Sequence, residues 1–509
     1  MKAFDIFIIG GGINGIAIAN DAAGRQLKVG LCEKGDLANA TSSASTKLIH
    51  GGLRYLEYYQ FRLVKEALKE REILLNKAPH LISPLRFVMP YNRSLRSALA
   101  IKIGLFLYDH LSHRSILESS QMLGLAKHPA GQALLSSYQR GFLYSDCWAD
   151  DARLVLANAI QAKEKGADIY TYTECIGAQR TFSGWNLELL NHLTQEKTQV
   201  HTKVLINAAG PWVESVIRHL LKIKSTQHIR MIKGSHIVVP KVNDTNYAYL
   251  LQNTDKRIVF VIPFLGEFSI IGTTDVEYTG NPKEAKISTV ETSYLCDIAN
   301  LYFQKKIKPE DVLWSYSGVR PLHYDEHDNP SAISRDYTFE LNQDISSAPV
   351  LSIFGGKLTT HRKLAEHALD HLKAFLPPHG SPWTAETPLP GGEIAHQDFE
   401  KFSQQFLHDF PWLPEDLAHR YLKQYGSRVS VLLAAASCLE DLGHDFGQGL
   451  YQREVDYLIQ YEWAKKAEDI LWRRTKLGLF FQLDKKLEAV STNLDEYLQK
   501  AKELHLPTQ

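Results

Sequence analysis

The chain has 509 residues, 44% of them hydrophobic, enough to bury large cores and to divide into about two to four domains. Lysine plus arginine and aspartate plus glutamate both total 57, so nothing global points to nucleic acid or a polyanionic partner, and any electrostatic function is local. Five scattered cysteines (Cys32, Cys147, Cys175, Cys296, Cys438) show no CxxC pair and no metal-ligand spacing, which reads as reduced structural thiols in a cytosolic protein without a metal site.

No basic-then-apolar leader precedes the first apolar run, and no run reaches the roughly 18 apolar residues of a spanning helix, so neither secretion nor a membrane crossing is expected. The run over 4–9 predicts a strand. It ends in Gly10, Gly11, Gly12, Asn14 and Gly15, with a helix over 13–24 and Glu33 closing the next strand. Gly10 permits the turn, Gly12 leaves room for phosphates, Gly15 lets the helix pack on the strand, and Glu33 is placed to accept ribose hydroxyls. This predicts an adenine-containing cofactor and a redox enzyme, and the spacing alone does not separate FAD from NAD.

Thr41-Ser42-Ser43-Ala44-Ser45-Thr46-Lys47 then runs into Leu48-Ile49-His50-Gly51-Gly52-Leu53-Arg54-Tyr55. Small residues there let backbone lie against a flat ring, and hydroxyls can bond phosphate and ribityl oxygens. A helix over 59–75 places Val64, Ala67, Leu68 and Leu75 on one face. The apolar stretch 99–108, bordered or interrupted by Arg93, Arg96 and Lys102, suits a helix at a lipid headgroup boundary or a buried core helix.

A helix over 152–165, a strand over 168–172, a hairpin near 185–190 and a strand over 204–206 resume the α/β pattern. Ala208, Gly210 and Trp212 follow at the carboxyl end of that last strand, where doubly wound sheets bind ligands. Strands over 235–239, 257–262 and 268–271 predict a separate sheet for substrate. Gly272-Thr273-Thr274-Asp275 comes next, with hydroxyls able to bond a ligand or to cap a turn. A strand over 351–354 leads through Gly355-Gly356-Lys357-Leu358-Thr359-Thr360 into a helix over 362–372, whose amino end and Lys357 would favour an anion. The rest reads as helices behind a Pro/Gly linker. The predicted architecture is α/β: a Rossmann-like dinucleotide-binding domain (1–80, 145–225, 350–376), FAD-binding on the resemblance that follows, interleaved with a β-rich substrate domain (81–144, 226–349), a linker (377–392) and an all-helical C-terminal domain (393–509).

In order along nearly the whole chain, these segments resemble the motifs of the FAD-dependent sn-glycerol-3-phosphate dehydrogenases of the bacterial aerobic respiratory type. The resemblance is carried by residues 5–15, residues 40–56, Tyr144-Ser145-Asp146-Cys147, Lys233-Gly234-Ser235-His236, Gly272-Thr273-Thr274-Asp275, Ser317-Gly318-Val319-Arg320-Pro321, Phe354-Gly355-Gly356-Lys357 and Leu471-Trp472-Arg473-Arg474-Thr475-Lys476. His361 stands where that family usually has tyrosine, which puts local packing in question rather than chemistry.

The resemblance implies oxidation of glycerol 3-phosphate to dihydroxyacetone phosphate with noncovalent FAD as hydride acceptor. Ubiquinone or menaquinone would be the final acceptor, reached from the inner face of the cell membrane by peripheral attachment. A homodimer is compatible with it. Arg54, Tyr55, Thr274, Arg320 and Lys357 are the expected substrate contacts. His50 is the preferred base, with Arg320 stabilising the alkoxide and His236 as a supporting or alternative base. FAD contacts are expected from Gly10, Gly11, Gly12, Asn14, Gly15, Glu33, Thr41, Ser42, Ser43, Ser45, Lys47, His50, Gly51, Gly52, Leu53, Ala208, Gly210, Trp212, Gly356, Lys357, Leu358 and Thr359. The cluster Arg473-Arg474-Thr475-Lys476 either faces lipid or pairs with acids across a domain contact. Two other classes stay open: an oxidase passing electrons to oxygen, and a non-catalytic flavoprotein sensing a phosphorylated metabolite.

Overall fold

Strand Lys2–Ile9 sits centrally in an eight-stranded sheet because its residues are apolar on both faces, as a strand covered on both sides requires. The computed structural model describes residues 1–92, 97–255, 257–323, 336–344 and 347–503. Lys2–Ile9 pairs in parallel with Val29–Glu33 on one side and Lys197–Asn207 on the other. Asp168–Thr171 and Ser347–Phe354 extend the parallel core outward. Helix Ile13–Gly24, rich in alanine and isoleucine, is buried on nearly every side between this sheet and the helices Asp151–Glu164 and His361–Leu372.

A ten-stranded sheet forms the second layer, built around the antiparallel set Ile229–Pro240, Phe268–Gly272, Ile258–Phe264 and Ala248–Gln252. Trp314–His323 pairs along nearly the full length of Ile229–Pro240, placing Tyr316 opposite His236 and Arg320 opposite Ile232. The carboxyl-terminal helices, beginning with Phe399–Asp409, enclose a core of their own around Leu422, Leu433, Leu458 and Leu494.

Several predicted boundaries move. The strand expected over 204–206 is the end of the longer Lys197–Asn207, whose polar first half pairs antiparallel with Trp185–Asn191. The first long helix is Phe61–Lys77. Thr338–Asp344, expected in the substrate domain, pairs with Ser347–Phe354 at the edge of the cofactor sheet. Leu48–Ile49, expected in the cofactor domain, pairs into the second sheet. Arg93 and Arg96 lie outside the described residues.

Buried ion pairs join the helical domain to the cofactor domain. Arg153 forks onto Glu462, with Nη2 donating to Oε1 at 2.9 Å, and onto the Gln424 carbonyl at 2.8 Å. Removing one partner of a buried pair strands the other charge. Arg153→Met is therefore expected to lower unfolding stability by about 3–5 kcal/mol, read from urea denaturation.

Candidate active site

The motifs converge on one cavity of about 1340 Å³, which opens between the two sheets and is closed at one side by the helical domain. That volume exceeds the about 300–1,000 Å³ of an ordinary small-molecule cleft and leaves room for a dinucleotide beside a small second molecule.

At one end, Gly10 takes a φ of +116°, and a Cβ there would lie 2.5 Å from the Ala208 carbonyl oxygen; on Gly15 it would lie 2.0 Å from the Gly10 oxygen. These contacts seat the helix Ile13–Gly24 with its amino end on the cavity. The Ser42 hydroxyl accepts the Ile13 N–H at 2.9 Å, while Asn14 donates to the Gly355 carbonyl at 3.1 Å and keeps a buried amide oxygen without a partner. Glu33 lines the same end, its two oxygens accepting the N–H groups of Gly11 and Gly35 at 2.8 and 2.9 Å. Burial pushes its carboxyl upward, against those two hydrogen bonds. Lys34 stands 4.0 Å over the Trp212 ring, so both flank this end of the cavity. An anion-accepting helix start, a carboxylate with acceptor sites to spare, and an aromatic wall fit a pyrophosphate and an adenosine.

The hydroxyl-rich loop forms the middle. Thr41 donates to the Val319 carbonyl at 2.7 Å, and Ser43 donates to the Ala40 carbonyl. Ser45 donates to Asp151 at 2.7 Å, and buried Lys47 pairs with the other Asp151 oxygen at 2.7 Å. Several of these side chains thus build the loop, which lines the cavity as a whole. Thr359 ties its far side to the His50 backbone. Gly51 donates to the Tyr108 hydroxyl at 2.8 Å, Gly52 adopts a φ of +77°, and Leu53 packs against the neighbouring core. Gly210, Gly356 and Leu358 line the cavity too.

His236, Arg320, Lys357, Tyr55 and His50 line the same cavity. The Arg320 guanidinium lies across Gly234, where a Cβ would come within 2.2 Å of it. It donates to Asp275 at 2.8 Å and to the Thr273 hydroxyl at 3.0 Å. Lys357 stands 4.0 Å over the Tyr55 ring, a cation–π contact, and His50 meets Phe260 edge-on. His236 is 1% exposed and stacks on Tyr316 at 4.8 Å. The Thr46 hydroxyl meets its Nε2 at 3.0 Å, and Nδ1 has no partner. Burial, then the charges of Arg320 and Lys47, push it well below the ordinary imidazole range, so it is neutral.

Two expected substrate contacts sit elsewhere. Successive residues point to opposite sides of an extended chain, so Thr273 reaches the cavity and Thr274 turns beneath it, donating to buried Glu291 at 2.8 Å. Arg54 is half-buried, with Nη2 donating to the Tyr58 hydroxyl at 3.2 Å, and is absent from the cavity wall. Sequence reading also missed part of the wall: Thr46, Tyr316 and, from the helical domain, Trp472, Arg473 and Lys476. The signal for the last three was the cationic cluster 473–476, which pairs with acids across the domain contact: Arg473 and Arg474 with Asp36, and Lys476 with Asp150 at 2.5 Å.

Comparison with known proteins identifies the family. A family model described as "FAD dependent oxidoreductase" matches residues 5–362, and one described as "C-terminal domain of alpha-glycerophosphate oxidase" matches residues 382–503. The chain is 51% identical to glycerol-3-phosphate dehydrogenase of Pseudomonas aeruginosa, over 98% of this chain and 95% of that protein. It is equally, 51%, identical to D-erythritol 1-phosphate dehydrogenase of Brucella abortus, over 93% of this chain and 94% of that protein. Among solved structures, glycerol-3-phosphate dehydrogenase from Bacillus halodurans complexed with FAD superposes with a TM-score of 0.76 at 26% identity, covering 100% of this chain and 96% of that one. FAD is the cofactor, and the pyrophosphate-accepting turn and Glu33 are the parts of the cavity that fit it.

His361 is buried, with Nδ1–H donating to the Leu358 carbonyl at 2.7 Å, so the histidine packs where tyrosine was expected. Burial lowers it from 6.5 to about 4. Between those values the unfolded chain carries a proton that the folded chain lacks, so the stability present above pH 6.5 is lost as pH falls toward 4. Unfolding midpoints in urea should drop over that window, His361 contributing up to about 3 kcal/mol, and His361→Tyr should flatten the slope.

Proposed function

Because this chain belongs to the FAD-dependent oxidoreductases, in the glycerol-3-phosphate dehydrogenase group, we propose that it oxidises sn-glycerol 3-phosphate to dihydroxyacetone phosphate and passes the electrons to a membrane quinone. The observation that carries the reading is a neutral buried histidine beside an arginine, in the wall of the cavity that also holds the dinucleotide cradle. Bound FAD supplies the two-electron acceptor for the hydride leaving the secondary carbon.

The chain's own residues do the rest. Arg320, oriented by Thr273 and Asp275, and Lys357 face the substrate phosphate, which carries roughly −1.5 to −2 charge. The hydroxyl proton passes to the Thr46 hydroxyl as that group hands its own proton to His236 Nε2, 3.0 Å away, so the imidazole is the base and Thr46 its relay at the cavity wall. His236 is preferred to His50 because it combines a neutral ring, a stacking partner and a cation whose charge a bound phosphate offsets, which restores basicity when substrate is present.

The membrane reading rests on helix Ala98–His110. Leu99, Ile103 and Phe106 form one row that is 68%, 53% and 60% exposed, while Ile101, Leu105 and Tyr108 on the opposite side are buried. Exposed Lys65 and Lys69 border an open hollow at its carboxyl end, giving a cationic rim suited to anionic headgroups. No helix among the described residues is long and apolar enough to cross a membrane.

Under anaerobic conditions glycerol 3-phosphate should bleach the yellow holoenzyme. D-erythritol 1-phosphate, the compound named for the Brucella relative, belongs in the same titration. Arg320→Ala should weaken substrate binding by about 2–5 kcal/mol, and His236→Asn should slow bleaching by about 10²–10⁴-fold. Unchanged rates in both variants would overturn the assignment, and a holoenzyme that stays yellow would mark a sensor.

A variant carrying Leu99→Ser, Ile103→Ser and Phe106→Ser should lose sedimentation with phosphatidylglycerol vesicles while keeping turnover with a water-soluble quinone. Brisk oxygen consumption without quinone would favour the oxidase.

A further inference from the structure

We propose that the helical C-terminal domain holds the adenosine end of the FAD site in its binding shape, with Asp36, Arg473 and Arg474 as the positioning residues. The inference rests on FAD as the cofactor.

The four residues Glu33 to Asp36 leave strand Val29–Glu33 as a short loop with Glu33 and Lys34 on the cavity and Asp36 turned away from it. Asp36 is wholly buried. One of its oxygens accepts Arg473 Nε at 2.6 Å and a second bond from Arg474, and the other accepts Arg474 Nη2 at 2.8 Å. Burial alone would raise the carboxyl, and the two guanidiniums overcome it, holding Asp36 below the usual carboxylate range.

A second tether closes a ring. Arg473 Nη2 donates to Asp469 at 2.6 Å, Asp469 accepts the Tyr172 hydroxyl at 2.7 Å, and the Tyr172 N–H donates to the Gly35 carbonyl at 2.8 Å. One turn of the helical domain, Asp469–Arg474, therefore grips the loop at two consecutive residues, directly beyond the carboxylate that faces the ribose. The Gly35 N–H in turn donates to Glu33, so the grip reaches the contacting group through one residue.

A loop ordered before the ligand arrives binds more tightly than one ordered by it. Neither Asp36 nor Arg474 lines the cavity, so neither would touch FAD directly. Arg473 does line it, which makes it the poorer probe.

The test compares Asp36→Asn and Arg474→Lys holoenzymes with the unmodified chain by the FAD each releases in equilibrium dialysis and, separately, by the ADP concentration that displaces FAD, since ADP shares the adenosine and pyrophosphate but lacks the flavin. Arg474→Lys keeps the charge and protects the test should Asp36→Asn fail to fold. Both ligands should weaken by the same factor, about 10- to 100-fold, the range that outer partners show at metal sites. The flavin absorption of FAD-saturated variants should stay unchanged. Glu164→Gln, which breaks the separate contact with Arg428 at 2.7 Å, should leave both affinities as they were. Unaltered FAD affinity in both loop variants, weaker FAD with unaltered ADP, or equal weakening in Glu164→Gln would overturn the proposal. The unmodified chain's own FAD affinity keeps that failure separate from failure of the cofactor assignment.

Discussion

Asp150 and Asp151, adjacent at the start of one helix, hold two buried lysines that come from opposite ends of the chain. Lys476 of the helical domain meets Asp150 at 2.5 Å, and Lys47 of the hydroxyl-rich loop meets Asp151 at 2.7 Å. Carboxylates belong at a helix amino end, where the macrodipole favours them, so this helix start anchors both cations. Removing either acid would leave a buried ammonium unpaired, a change that costs about 3–5 kcal/mol in comparable pairs. The cofactor loop, the cofactor domain and the helical domain meet at this junction.

Zero net charge and a strongly charged interior are two views of the same arrangement. Four cations of the cavity wall are paired with acids: Lys47 with Asp151, Lys476 with Asp150, Arg320 with Asp275, and Arg473 with Asp36 and Asp469, while Lys34 and Lys357 stand over the rings of Trp212 and Tyr55. Burial, and then the charges of Arg320 and Lys47, hold the His236 imidazole well below its ordinary range. Below it Glu291 gathers Lys233, Ser235 and Thr274, fixing strand Ile229–Pro240 against the turn that follows Phe268–Gly272.

Features set by neighbours in sequence could be read in advance. Gly10, Gly15 and Glu33 act through a strand, a turn and a helix, and strand Ser347–Phe354 leads into its helix as the glycine-lysine turn required. Features decided by distant partners could not. Thr274 looks identical to Thr273 until Glu291 claims its hydroxyl, and Arg54 looks like a phosphate ligand until its guanidinium is found against Tyr58. His50 and His236 are equal as letters; burial, Tyr316 and Thr46 separate them. The partner of Arg473 and Arg474 lies more than 430 positions away, beyond any motif spacing.

The helix with the exposed apolar row is also part of the active-site scaffold, and this joins the surface to the chemistry. On its buried side Tyr108 accepts the Gly51 N–H at 2.8 Å and donates to Asp146, which Arg71 holds at 2.8 Å. Gly51 follows His50 directly and belongs to the loop beside the cofactor cavity. A buried N–H that lost its acceptor would be costly, so the helix and the loop move together or the hydrogen bond breaks. Packing enforces the same coupling, because a Cβ on Gly51 would meet the Tyr108 ring at 2.8 Å and Leu68 at 2.6 Å. Leu99, Ile103 and Phe106 thus share a helix with Tyr108, the side chain that contacts the residue beside His50.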